Sequence, residues 1–242
     1  TQQAKVSVEE LKQTELFARR TLSLREFLLD ETKTGIIAEF KRKSPSKGII
    51  NGNADVVKVT NSYSRFGASG LSVLTDENFF GGSKEDLIKA RLHNTPILRK
   101  DFMISEYQFY EAKAMGADVI LLIAACLTPT QVKEFAVLSK ELGLEVLLEI
   151  HNEDELAHIC DDVDFVGVNN RNLKTFEVDI STSLQLFPHI PKDKLVISES
   201  GISNVDTIVM LKQAGFKGFL IGENFMKEED PGAAFEKFSK EL

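Results

Sequence analysis

The residues of this sequence best suited to chemistry are Glu39, Lys41, Lys100, Glu149 and Glu199, each at or just beyond the end of a short apolar run. Both signs of charge are present, so the set can donate a proton, accept one and hold an anion. Side chains alternate across an extended strand, so residues two apart share a face. That rule groups Ile37, Glu39 and Lys41; Leu98, Lys100 and Phe102; Leu147 and Glu149; Ile197 and Glu199. In every group the charge lies at the C-terminal end. A single charge at a strand end reads equally well as a structural ion pair. Four strands that bring both signs to the same end favour a pocket in which ionisable groups shift one another's pKa values.

Two glycine turns extend the pattern. Ser200-Gly201 follows the seventh run and Gly222-Glu223-Asn224 follows the eighth, where backbone N–H groups can approach a phosphate. The segment Lys41–Gly48 is long, basic and closed by glycine, as a lid over an anionic substrate would be. The four histidines show no metal-ligand spacing, so no metal is expected. His151 shares the face of Glu149 just beyond its run but is assigned no role, and Cys126 and Cys160 read as packing residues.

The elements that must position these groups are legible as apolar runs: Ile36–Phe40, Leu71–Thr75, Pro96–Arg99, Val119–Ile123, Glu145–Ile150, Phe165–Asn169, Leu195–Glu199 and Gly218–Gly222. Their ends recur every 26 residues on average, enough for a strand, a helix and two loops. Near-continuous apolar strands imply a sheet buried on both faces, hence parallel pairing with helical crossovers. Thr130–Leu142, with Val132, Phe135, Ala136 and Leu142 on one stripe, predicts one such helix. Asn204–Ala214, with Val205, Ile208, Val209 and Leu211, predicts a second. Pro231 opens a last helix with Ala234, Phe235 and Phe238 facing inward. Eight units predict an α/β fold, a single (β/α)8 TIM barrel over residues 36–242. Residues 1–35 form a short N-terminal helical extension, helical at Val8–Leu16 and Leu24–Leu29, that covers one end of the barrel.

Composition narrows the function. The chain has 242 residues and a formal net charge of −8, which argues against a sequence-independent nucleic-acid binder. No apolar stretch approaches the roughly 18 residues of a membrane span. Two cysteines and no signal-like start point to the cytoplasm. The expected partner is a small phosphosugar, with no nucleic acid and no membrane; the chain is expected to be a monomer or a weak homodimer.

The stretch Ile36-Ile37-Ala38-Glu39-Phe40-Lys41-Arg42-Lys43-Ser44-Pro45-Ser46-Lys47-Gly48 resembles the signature of the indole-3-glycerol phosphate synthases of tryptophan biosynthesis. The resemblance continues through Leu74-Thr75-Asp76, Phe79-Phe80-Gly81-Gly82 and Leu98-Arg99-Lys100-Asp101-Phe102. It resumes at Leu148-Glu149-Ile150-His151, Val168-Asn169-Asn170-Arg171-Asn172-Leu173, Ser198-Glu199-Ser200-Gly201-Ile202 and Phe219-Leu220-Ile221-Gly222-Glu223. The motifs run in order from about residue 20 to the end. The family usually opens with a further helix that helps cover the site. The segment before Val8 is too short to supply it, so a shortened extension and a weaker hold on substrate are expected.

The resemblance implies a carboxy-lyase that closes, decarboxylates and dehydrates 1-(2-carboxyphenylamino)-1-deoxyribulose 5-phosphate to indole-3-glycerol phosphate, without cofactor. It implies Lys100 as general acid at ring closure, its ammonium destabilised by a neighbouring cation. Lys41 would neutralise the substrate carboxylate and is a second proton donor. Glu149 would be the base for dehydration, with Glu39 assisting it or orienting Lys41. Asn169, Arg171 and Glu199 would orient the substrate, and Phe79 and Phe102 would pack on its ring. Ser44, Ser200, Gly201, Gly222 and Glu223 are the phosphate or loop candidates, with Arg42 and Lys43 adding positive charge at the rim. The rivals are a phosphoribosylanthranilate isomerase, which is not expected to combine Glu39, Lys41, Lys100 and Glu149, and a non-catalytic phosphate-binding barrel, which has little need of all four.

Overall fold

In the computed structural model, which describes residues 6–242, eight parallel strands close into a barrel. They are β1 (Ile36–Phe40), β4 (Gly70–Leu74), β5 (Ile97–Lys100), β6 (Val119–Ile123), β7 (Glu145–Ile150), β8 (Phe165–Asn169), β9 (Leu195–Glu199) and β10 (Gly218–Ile221). Each pairs with its neighbours in the chain, and β1 closes the ring against β10. The loop after β1 holds a small hairpin of β2 (Lys43–Ser44) and β3 (Gly48–Ile49), which the sequence pattern does not predict.

The alternation of side chains is as the sequence requires. Ile37, Leu98, Val119, Leu121, Leu147, Phe165, Ile197 and Leu220 fill the interior, while Ile36, Ala38, Val146, Leu148 and Ile150 face outward into the helical layer. Burying one such aliphatic side chain is worth about 1.5–3 kcal/mol, so the register is strongly specified. Small shifts occur at strand ends. The third strand starts at Ile97, because Pro96 has no N–H for the ladder. The second starts at Gly70, and the eighth stops at Ile221, which leaves Gly222 to begin a helix.

The helices are α1 (Val8–Lys12), α2 (Glu15–Ala18), α3 (Leu24–Leu29), α4 (Val56–Arg65), α5 (Lys84–Ala90), α6 (Tyr107–Met115), α7 (Pro129–Glu141), α8 (Ser181–Leu186), α9 (Val205–Ala214), α10 (Glu223–Met226) and α11 (Pro231–Ser239). The Thr128–Gln131 capping box starts α7 at Pro129, and Val132, Phe135 and Ala136 are buried as expected. Asn204 caps α9 and left-handed Gly215 ends it, but Val209 faces solvent. The predicted helix Val8–Leu16 breaks in two, because Thr14 caps a fresh turn. Between β7 and β8 the crossover is only a 3₁₀ turn, Glu153–His158, where the repeating pattern predicts a helix. The interval there is the shortest of the seven.

The segment from Arg19 to Leu29 closes the N-terminal end of the barrel. Asp118 accepts from Arg19 (2.6 Å) and the Leu22 amide (2.7 Å) and pairs with Arg91. Glu145 accepts from Ser23 Oγ and the Leu24 amide, each at 2.6 Å. Leu24 and Leu28 then pack into the interior cluster, over Gly70 and Gly218. The expected shortening of the opening helix concerns residues 1–5, which lie outside the described residues.

Candidate active site

At the opposite, C-terminal end, Lys100 Nζ lies 3.0 Å from Glu149 Oε2 and 2.7 Å from Glu199 Oε2. Lys41 Nζ lies 2.5 Å from Glu39 Oε1, and Ser72 Oγ donates to Glu39 Oε2 at 3.4 Å. Asn169 Nδ2 donates to Glu149 Oε1 at 3.2 Å, and Asn169 Oδ1 accepts from the Arg171 amide at 3.0 Å. Two glycines make room for this layer. A Cβ on Gly167 would collide with Glu199 Oε1, and one on Gly222 would sit 2.6 Å from Glu39 Oε1. Glu199 Oε1 is buried without a protein partner.

All three carboxylates are buried, and their neighbours set their charge. Burial pushes Glu39 up, but Lys41 and Lys100 outweigh it and hold it below the usual range. Burial likewise opposes ionisation of Glu149, and Lys100 and His151 overcome it, so Glu149 is held well down. Glu199 is pushed up to about 7 by burial and by Glu149, against the pull of Lys100. Burial would lower Lys100, but Glu149, Glu199 and Glu39 more than reverse it. The expectation of an ammonium destabilised by a neighbouring cation is therefore corrected. Its closest charged neighbours are carboxylates, and Lys41 is engaged by Glu39.

Above this layer opens a cavity of about 790 Å³. Glu39, Lys41, Lys100, Glu149, Asn169 and Glu199 form its floor, with Ser44, Phe102, Arg171, Ser200, Gly201, Gly222 and Glu223 around it. Ser200 and Gly201 both adopt positive φ (68° and 79°), and a Cβ on Gly201 would run into Val178. Gly222 caps the start of α10, whose first amides have no partner within the helix. Glu223 lies 3.8 Å from Lys47 Nζ and 3.6 Å from Arg171 Nη2, so its side chain links the loops after β1 and β8.

Some expected residues fall elsewhere. Phe79 is exposed and outside the cavity wall; its neighbour Phe80 lines it, and both rings pack near Phe102, with centroids 5.8 and 6.1 Å away. Asp76 accepts from both amides, and that turn decides which ring points inward. Arg42 is turned outward to pair with Asp86 and lie over Phe40, and Lys43 donates to the Asn78 carbonyl, so neither lines the cavity. Lys47 and Lys227 do line the cavity. Lys227 stands four residues after Glu223, at the end of α10, a spacing visible in the sequence. Leu173, Phe176 and Val178 also line it, supplied by an irregular loop that carries no periodic signal.

The family profile described as indole-3-glycerol phosphate synthase matches residues 1–238. The chain is 48% identical to an indole-3-glycerol phosphate synthase of Bacteroides thetaiotaomicron, over the whole of this chain and 93% of that protein. It is 47% identical to one of Chromobacterium violaceum, over 85% of this chain and 78% of that protein. Among solved structures, a tryptophan synthase α-subunit of Pyrococcus furiosus superposes with a TM-score of 0.65 at 18% identity, covering 87% of this chain and 98% of the other. At that identity the likeness speaks for the barrel alone.

Proposed function

The chain belongs to the indole-3-glycerol phosphate synthase family, and from that premise we propose how its own residues carry the reaction. The activity is that of the family: 1-(2-carboxyphenylamino)-1-deoxyribulose 5-phosphate is converted to indole-3-glycerol phosphate, carbon dioxide and water, a step of tryptophan biosynthesis. The ring carbon bearing the carboxylate must attack the ketone, the carbonyl oxygen must gain a proton, and the new hydroxyl must leave as water.

Lys100 is the acid at ring closure. Three carboxylates keep it an ammonium, and the alkoxide forming on the attacked carbon is a much stronger base than any of them. Glu199, pushed up to about 7 and 2.7 Å away, is present in both forms near neutral pH, and its protonated form can return a proton to Lys100. Lys41, oriented by Glu39, neutralises the carboxylate that departs as carbon dioxide. Glu149, held as carboxylate, takes the proton lost on dehydration. Asn169 and Arg171 orient Glu149 and the substrate, and Phe80 and Phe102 give the aromatic ring an apolar wall. The amides around Ser200, Gly201, Gly222 and Glu223, with Ser44 and Lys47 on the facing loop, suit the phosphate.

The observation that carries this reading is the buried ring of Glu39, Lys41, Lys100, Glu149 and Glu199 at one barrel mouth. Adding the carboxyphenylamino-deoxyribulose phosphate to the folded protein should produce indole fluorescence, and its absence would sink the assignment. Residence in the cytoplasm belongs to the same proposal, supported by two unpaired cysteines; a monomeric or weakly dimeric state is proposed with it.

A further inference from the structure

His151 lies immediately behind the catalytic ring. Its Nε2 is 3.2 Å from Glu149 Oε1 and its Nδ1 is 3.2 Å from Glu155 Oε2. The approach to Glu149 is off the line of a well-formed hydrogen bond, yet Nε2 has no other partner. This nitrogen is sealed from solvent, while the residue as a whole is half-buried. A carboxylate has no proton to give, so one at each nitrogen favours the doubly protonated ring. Glu155 is itself fixed: its Oε2 also accepts from the His151 amide at 2.7 Å, and its Oε1 from Asn152 Nδ2 at 3.2 Å. His158 Nε2 donates to the Leu127 carbonyl at 2.9 Å and ties that turn to the loop after β6.

We propose that His151 is a positioning residue for Glu149: gripped by Glu155, its ring holds the Glu149 carboxylate so that one oxygen faces Lys100 and the other faces Asn169. The inference rests on Glu149 being the base. Without the ring, Glu149 Oε1 keeps only the 3.2 Å contact from Asn169, and the carboxylate is free to turn about its 3.0 Å contact with Lys100. Among the described residues, the charged and titratable groups nearest the imidazole are Glu149 at the end of β7 and Glu155 and His158 on the turn that follows, with Lys100 beyond Glu149 and Cys126, on the turn after β6, close to both carboxylates. The two carboxylates dominate, and burial's tendency to neutralise the ring is overridden, which raises His151 to about 9.

His151→Ala is expected to lower kcat about 10-fold with KM within about twofold, the pattern of a misplaced reacting group. His151→Gln, whose amide nitrogen can reach the place of Nε2, should recover most of that loss, and His151→Asn, which is too short, should not. The His151 ring, followed by NMR, should titrate far above the ordinary 6.5, and at least one unit lower in Glu155→Gln. Full turnover in His151→Ala overturns the proposal, as does a ring that titrates near 6.5. If His151→Ala fails to fold, Gln and Asn variants of equal kcat overturn it in the same way. Glu149→Gln, assayed alongside, separates the two ideas: near-normal turnover there removes the base itself, whereas an inactive Glu149→Gln beside a fully active His151→Ala removes only the positioning role.

Discussion

Lys100 and Glu199 meet at 2.7 Å although β5 and β9 lie four strands apart, facing each other across the barrel. The lysine therefore spans the mouth and holds a carboxylate from the far wall. Lys100→Ala should lower turnover by about 10²-fold or more, the range for a lost general acid. Steady-state kinetics checks this, and near-normal turnover would take Lys100 out of the acid role.

Gly167 leaves the space that Glu199 occupies. Gly167→Ala should displace that carboxylate from Lys100 and lower kcat by at least about 10-fold. Overpacking should cost about 1–3 kcal/mol of stability, read by urea denaturation. An unchanged kcat would mean that Glu199 has no part in the reaction.

Lys41 is assigned to the substrate carboxylate. Its replacement by Ala should weaken a non-reactive analogue carrying that carboxylate by about 10- to 100-fold, the worth of a hydrogen bond to a charged group. An analogue without the carboxylate should bind as before. Equal loss for both would move Lys41 to another role.

The folded-state pKa of His151 is raised to about 9 from an ordinary 6.5. The folded protein thus binds this proton more tightly than the unfolded chain, so the associated stability is complete below pH 6.5 and is lost as pH rises through 9. After screening by the part-exposed surroundings the loss should be about 1–2 kcal/mol. Urea unfolding at pH 6.5 and 9 measures it, and His151→Gln should flatten this part of the profile.

Leu24 and Leu28 stopper the end remote from the chemistry. Leu24→Ala should destabilise the fold by about 2–5 kcal/mol with kcat and KM nearly unchanged. A raised KM would show that the extension reaches the site.

Much of this site is legible in the sequence because β-alternation leaves few choices. Once Ile37, Leu98, Leu147 and Ile197 face inward, Glu39, Lys100, Glu149 and Glu199 must as well. Turns obey no such period, which is why the sequence points to Phe79 instead of Phe80 and sets Arg42 at the rim. The charge state of Lys100 escapes the sequence for a further reason. It depends on Glu199 from the opposite wall, and no local pattern reports that distance.

The apolar layer from Ile37 to Leu220, sealed beneath by Leu24 and Leu28, has a transport consequence. Among the described residues it offers no polar file from the ring of charged side chains to the other end of the barrel. Protons exchanged with solvent therefore pass through the doorway by which the phosphosugar enters. One opening then serves both substrate entry and proton exchange, and the loops linked through Glu223 stand beside it.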